Sequence, residues 1–450
     1  MPQAANDTRD KVRRLQNTLY LAAKRSPNRR FHALYDKVYR IDVLERAWAQ
    51  VKANQGSPGV DAQTIQAIEA GGVEPFLTAV QVGLREGRYR PQAVRRVWIP
   101  KRGKPEKRPL GIAAISDRVV QAAAKLVLEP IFEADFRECS YGFRPKRSAH
   151  QVRQRIRKAV QAEQCRWVVD ADIRSFFDSV DWRILDHLLR QRVSDRRMLR
   201  LVTAWLRAGV LDGTVLMHPT EGTAQGAAIS PLLANVYLSV LDKVWEDRFW
   251  RLGKLVRYAD DLVILTWKRR QAERAQDVLT GILARLKLEL APTKTRLVGL
   301  DDPTSGFDFL GYHYRWLPTR RGRNGQQRQY AACWPSQRAM QAARDRVREL
   351  TPLQRIGLPI SMVVQDLNAF LDGWATYYRH GNSTQQLSSL DWYVQNRLCR
   401  FIARKHGKQG INRGLAVLLD STTRLGLHRL AGTVRYDSAR AAGERYRRAV

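Results

Sequence analysis

Two adjacent carboxylates, Asp260 and Asp261, sit in the stretch Arg257-Tyr258-Ala259-Asp260-Asp261-Leu262-Val263-Ile264-Leu265. Apolar runs flank them, Leu255-Val256 before and Leu262 to Leu265 after. That pattern predicts strand, tight turn, strand, with the acids at the tip of a buried hairpin. Two carboxylates at the edge of a buried hairpin repel each other and lose hydration unless cations answer them. A solvated Asp-Asp turn is the plainer alternative, and the almost wholly apolar second strand weighs against it. The chemistry that fits is a hard-metal site, which needs a further carboxylate.

Arg166-Trp167-Val168-Val169-Asp170-Ala171-Asp172-Ile173 supplies one, a buried strand with acids at its end. Asp170 and Asp172 share a face by strand periodicity, and spacing alone leaves both open. A strand-end aspartate beside a hairpin bearing Asp260 and Asp261 is the minimal frame for two divalent ions. Mg²⁺ takes oxygen ligands and is usually held by one or two carboxylates plus substrate phosphates. A pair of such ions serves in-line phosphoryl displacement. Cations for a triphosphate are at hand on a second hairpin: VRRVWIP (94–100), the polar turn Lys101 to Arg108, and a strand from Pro109 to Ile112. Lys and Arg on a stiff hairpin suit convergence on one anion.

These elements need a large scaffold, and 450 residues with 44% hydrophobic composition allow one. Lys and Arg number 78 against 43 acids, a formal charge of +35. So large an excess points to nucleic acid as partner. No apolar run approaches the length of a membrane-spanning helix, and MPQAANDTRDKVRRLQ lacks a signal-peptide core. Four scattered cysteines without a CxxC pair read as reduced thiols in a cytoplasmic protein. Residues 1–40 are basic, with Val12, Leu15 and Leu19 spaced for a helix that docks late or binds a partner. Helices are expected over 41–52 (Ile41, Leu44, Trp48 and Val51 on one face), 73–84, 117–136, 149–160, 184–192, 203–208, 229–244, 272–286, 339–350, 362–378 and 390–405.

The ordered series of motifs resembles reverse transcriptases of the right-hand polymerase class, specifically those encoded by group II introns. It comprises QGSPGVDA (55–62), IPKRGKPEKRPLGIAAISDRVVQ (99–121), LEPIFEADFRECSYGFRPKRSAHQ (128–151), VVDADIRSFFD (168–178), EGTAQGAAISPLLANVYLSVLD (221–242), VRYADDLVIL (256–265), LELAPTKT (288–295), FDFLGY (307–312) and LDGWATYYRHG (371–381). The resemblance implies an α+β right-hand polymerase: fingers, a palm with an antiparallel sheet, a helical thumb, and a basic helical C-terminal extension. The expected division is a basic N-terminal extension (1–40), fingers (41–160), palm (161–318), thumb or maturase region (319–395) and basic C-terminal helices (396–450).

It also implies roles. Asp172, Asp260 and Asp261 match the metal-binding carboxylates, assisted by the Ile173 carbonyl, and the match selects Asp172 over Asp170. For Asp261 two roles stay open, direct ligation and tuning of the field at the turn. Phe177 matches the aromatic that excludes a 2′-hydroxyl, with Phe176 as the competing ring. Lys101 and Arg108 match the cations that grip the incoming dNTP. Gln225 matches the residue beside the nascent pair and Lys294 the lysine near the leaving pyrophosphate; a solvated lysine is the plainer reading of Lys294. Phe309-Leu310-Gly311-Tyr312 matches the primer grip. The implied cofactor is Mg²⁺, two ions, with Mn²⁺ as a substitute. The implied partners are an RNA template, a DNA or RNA primer, dNTPs and structured intron RNA, with no membrane; the oligomeric state is left open. Ala224 and Ala227 depart from the family's Pro and Gly, and residues 400–450 lack the metal-ligand spacing of an endonuclease. Two alternatives stay open: a free-standing relative recruited to defence or DNA repair, and an RNA-binding maturase with polymerisation secondary.

Overall fold

A computed structural model describes residues 2–100, 107–302, 304–318, 329–405 and 425–435. Helices run over Pro2–Arg25 (α1), Tyr35–Val38 (α2), Ile41–Ala53 (α3), Ile65–Gly71 (α4), Val73–Arg85 (α5), Ile115–Glu133 (α6), Ala149–Gln161 (α7), Trp182–Arg190 (α8), Arg196–Arg207 (α9), Ser230–Val244 (α10), Arg269–Arg285 (α11), Gln337–Leu350 (α12), Ile360–Tyr378 (α13) and Thr384–Lys405 (α14). Strands are Val94–Pro100 (β1), Lys107–Ile112 (β2), Trp167–Asp172 (β3), Val210–Asp212 (β4), Val215–Met217 (β5), Lys254–Tyr258 (β6), Asp261–Thr266 (β7), Arg296–Gly299 (β8), Gly306–Phe309 (β9), Tyr312–Pro318 (β10) and Gln329–Pro335 (β11). Among the described residues, helices are mixed with three sheets. It divides into two compact units, Met1–Arg155 with Val168–Leu297, and Ile156–Trp167 with Val298–Val450.

The first unit carries two four-stranded sheets, ordered β2-β1-β4-β5 and β6-β7-β3-β8. In the second of these, β7 is apolar from Leu262 to Leu265 and fully buried. α10 opens on Ser230-Pro231, where a proline in the first turn lacks only a donor that would be orphaned anyway. It then buries Leu233, Val236, Tyr237 and Leu241. Asp195 caps α9 through one carboxylate oxygen and accepts the Leu34 and Tyr35 amides, each at 2.8 Å, on the other. One side chain therefore ends one helix and anchors another.

The basic N-terminal helix, expected to dock or to bind a partner, is docked: Val12, Leu19 and Ala23 are buried, and Gln16 and Lys24 donate to the Leu126 and Ala134 carbonyls of the α6 region. Apolar burial plus these bonds fixes it within the first unit. Ile41 is 41% exposed, because α3 turns Val43, Leu44, Ala47, Trp48 and Val51 inward instead.

The second unit pairs a three-stranded sheet, β11-β10-β9, with a bundle of α12, α13 and α14. The bundle core gathers Met340, Val347, Val363, Leu367, Leu371, Leu387 and Leu398, with Trp374 packed partly against it. Leu310 and Gly311 carry left-handed φ angles of 49° and 78° and turn β9 into β10. A Cβ at Gly311 would strike the Tyr378 hydroxyl, and Tyr377 donates to the Leu310 carbonyl at 3.0 Å. The Phe309 to Tyr312 turn is therefore held by the end of α13.

Candidate active site

β6 and β7 pair antiparallel down to Tyr258 opposite Asp261, so the turn is only Ala259 and Asp260. Asp261 is the first residue of β7 and open to solvent; Asp260 is half-buried in the turn. Ala259 adopts φ 58°, a left-handed backbone that costs a non-glycine residue about 1–2 kcal/mol. Such local strain persists where the surroundings over-determine it.

β3 lies next to β7 in the sheet, and Asp172 ends it. The segment Glu289–Ala291 docks on that end. Ala291 N–H donates to the Asp172 carbonyl at 2.8 Å and Arg174 N–H to the Glu289 carbonyl at 2.9 Å. This pairing brackets Ile173 and does not use its carbonyl oxygen. Three residues further on, Lys294 places its ammonium on Asp172 Oδ2. Asp170, by contrast, is paired with Arg296 at 2.9 Å.

The three matched carboxylates share one field. Although Asp261 keeps a solvent-exposed edge, the protein packed around its carboxyl hinders hydration, and the charges of Asp260 and Asp172 add to that, pushing it up to about 6. Loss of hydration, then the Asp172 charge, raises Asp260 as well, while Arg108 and Lys294 pull it down. Arg108, on β2, and Lys294 are therefore close enough to act on the acidic turn. Lys101 lies outside the described residues.

Phe176 and Phe177 part company. Phe176 is 2% exposed and packs edge-on to Tyr237 in the core, whereas Phe177 is half-exposed. The loop before Gln225 is laced to this turn: Gly222 N–H donates to the Val180 carbonyl at 2.8 Å and Thr223 N–H to the Phe177 carbonyl at 2.7 Å. Gly222, at φ 87°, lies so near Asp178 that a Cβ would sit 2.9 Å from its carbonyl oxygen. The Gln225 carbonyl accepts from Gly111 N–H at 2.7 Å, which ties the same loop to β2. Ala224 fits beneath: its carbonyl accepts from Ser230 Oγ at 2.9 Å. One short loop thus links Phe177, Gln225 and the strand bearing Arg108.

Behind the acidic turn lies a feature that the motif reading passed over. Arg257 is fully buried and grips Asp242 with Nε and Nη2, at 2.8 and 2.5 Å. It also donates to Asn235 Oδ1, Ser140 Oγ and the Ala259 carbonyl at 3.1, 2.7 and 2.9 Å. An arginine directly after the apolar pair Leu255-Val256 of a buried strand was the available signal, since a buried guanidinium demands partners.

Among the described residues, no three histidine, cysteine, aspartate or glutamate side chains are gathered tightly enough to enclose an ion. Asp172 is ion-paired with Lys294. The donor set nevertheless fits a hard divalent ion: it offers carboxylate oxygens only, and loss of hydration followed by neighbouring negative charge raises Asp260 and Asp261.

The family described as reverse transcriptase (RNA-dependent DNA polymerase) matches residues 99–314, and the group II intron maturase-specific domain matches 340–416. Protein YkfC of Escherichia coli is 32% identical over 70% of this chain and 91% of its own length. The group II intron-encoded protein LtrA of Lactococcus lactis is 35% identical over 47% of this chain, but over only 35% of LtrA. An uncharacterized 91 kDa protein in the cob intron of Schizosaccharomyces pombe is 31% identical over 62% of this chain and 33% of that protein.

Proposed function

Since this chain belongs to the family of group II intron reverse transcriptases and maturases and is an RNA-directed DNA polymerase, we propose that it extends a primer on an RNA template at the Asp172, Asp260 and Asp261 site, and that it also binds structured intron RNA to assist splicing and retrohoming. The observation that carries the catalytic part is the shared field of three carboxylates, one from the end of β3 and two from the neighbouring β6–β7 hairpin, countered by Lys294 and Arg108. In this reading β6, β7 and β3 belong to a palm, β1 and β2 to fingers, and α12 to α14 to a thumb.

Each residue then has a defined task. Asp172 and Asp260, with the Ile173 carbonyl, would hold Mg²⁺, and Asp261 sets the charge of the turn. When bound, the metal supplies Lewis-acid stabilisation of the transferring phosphoryl group. Arg108, together with Lys101, binds the dNTP phosphates. Lys294 lies on Asp172, where it is placed to neutralise a leaving pyrophosphate. Phe177, the half-exposed ring, sets the sugar boundary, and Gln225 orients the pair. Primer extension on an RNA template by the full chain, run beside a splicing assay, tests the two activities separately.

Metal binding has a readout apart from turnover. A carboxyl raised in the fold binds its proton more tightly folded than unfolded, so stability falls as pH climbs from the ordinary carboxylate range, about 4, to about 6. Without metal, thermal unfolding should therefore come at a lower temperature at pH 7 than at pH 5. Millimolar Mg²⁺ should reverse that slope, and Asp261→Asn should flatten it. A slope that Mg²⁺ leaves untouched counts against the assignment.

RNA binding finds support on α8 and α9. Exposed Arg190, Arg196, Arg200 and Arg207 line a groove of about 500 Å³, three of them along one face of α9. Charge reversal of Arg196, Arg200 and Arg207 should reduce the salt dependence of RNA affinity by roughly 0.7–0.9 in log–log slope per lost phosphate contact. An unchanged slope removes this groove from the RNA track.

A further inference from the structure

The catalytic turn is built from a backbone that resists being built. Ala259 stands at φ 58°, and Gly142 packs so closely that a Cβ would collide with the Ala259 amide. The segment carrying Gly142 is clamped alongside. Arg257 N–H donates to the Cys139 carbonyl at 2.8 Å, its own carbonyl accepts from Tyr141 N–H at 2.9 Å, and Asn235 donates to the Gly142 carbonyl at 2.8 Å. The Arg257 guanidinium completes the clamp by reaching the Ala259 carbonyl at 2.9 Å while Asp242 neutralises it.

Stability alone does not call for this arrangement. Apolar side chains of similar volume often serve a core as well as a buried ion pair does. What they cannot supply is a planar fork of donors that spans Asp242, Asn235, Ser140 and the Ala259 carbonyl at once. The residue after that carbonyl is Asp260.

We propose that Arg257 is the positioning residue of the active site: through the Ala259 carbonyl it holds the turn in the geometry that aims the Asp260 carboxylate. The proposal rests on the polymerase reading of this hairpin and adds to it a residue outside the acidic set. Asp242 and Asn235 of α10 and Ser140 are the supports that keep the guanidinium in place.

The test is single-nucleotide incorporation on an RNA template–DNA primer at saturating dNTP, measured with thermal unfolding and template–primer affinity. Arg257→Met combined with Asp242→Leu removes the pair without stranding a charge. The double variant should melt cooperatively near the wild-type temperature and bind template–primer with wild-type affinity. It should incorporate about 10²-fold more slowly, the order expected for a misplacement of about 1 Å at a reacting centre. Arg257→Lys keeps the charge but not the fork and should fall between, about tenfold slow. A folded double variant whose rate lies within threefold of wild type overturns the proposal. Should that variant not fold, Arg257→Lys decides on the same criterion: tenfold slowing with intact affinity supports it, and a rate within threefold sinks it. Failure of the wild-type chain to extend any primer is a separate result that removes the polymerase reading itself.

Discussion

Asp260→Ala is expected to leave a folded protein that has lost primer extension by about 10³-fold or more. The reasoning is electrostatic. Metal-held charge stabilisation contributes several kcal/mol to phosphoryl transfer, and each 1.36 kcal/mol is tenfold in rate. Stability should move the other way. The Asp260 carboxyl is raised by loss of hydration and by Asp172, so its ionised form opposes folding at neutral pH. Removing it should hold or raise the melting temperature. Asp172→Asn should be comparably inactive, whereas Asp170→Asn, which releases Arg296 and removes the last-ranked of the charges acting on Asp261, should keep most activity. Extension by Asp260→Ala within tenfold of wild type, or equal losses for Asp170→Asn and Asp172→Asn, would remove these carboxylates from the reaction.

The second large effect is on stability. Asp242→Ala strands the Arg257 guanidinium in a site where both side chains are fully buried. Breaking a buried pair from one side costs about 3–5 kcal/mol, because an uncompensated charge remains. For a unit of this size that is on the order of 10 °C in melting temperature. The exposed i,i+4 pair Arg269–Glu273 provides the contrast. Glu273→Ala should cost only about 0.3–0.5 kcal/mol, since water already solvates both partners. A similar small loss for Asp242→Ala would mean that Arg257 finds another anion or reaches solvent.

What the sequence revealed follows from how local each signal is. The β6–β7 hairpin was legible because apolar runs on both sides of two acids leave few other conformations, and α10 because its apolar run begins at Ser230-Pro231. Placement within the hairpin was less so: the acids read as one tip, yet Asp260 occupies the turn and Asp261 begins β7. The phenylalanines show the same limit. Only the packing of Phe176 on Tyr237 tells it from Phe177. The Arg257 clamp drew on Ser140, Asn235 and Asp242, residues that no periodicity connects. Likewise the docking of α1 depends on partners on α6 far along the chain, for example Gln16 with Leu126. In the second unit, β10 and β11 escaped notice because the residues between them, 319–328, are polar and basic, so that no apolar alternation flanks their Asn324-Gly325 pair.

The strand order β6-β7-β3-β8 has a consequence in time. Asp172 and Lys294, which meet at the site, are separated by 122 positions. During synthesis, the strand ending in Asp172 emerges well before the hairpin that lies beside it and before the lysine that covers its charge. Contacts of such long sequence separation form late, because loop closure must precede them. The α3 to α6 region can consolidate while the catalytic sheet is still open. Activity should therefore return on refolding in a single late phase, after most of the helical signal has been regained.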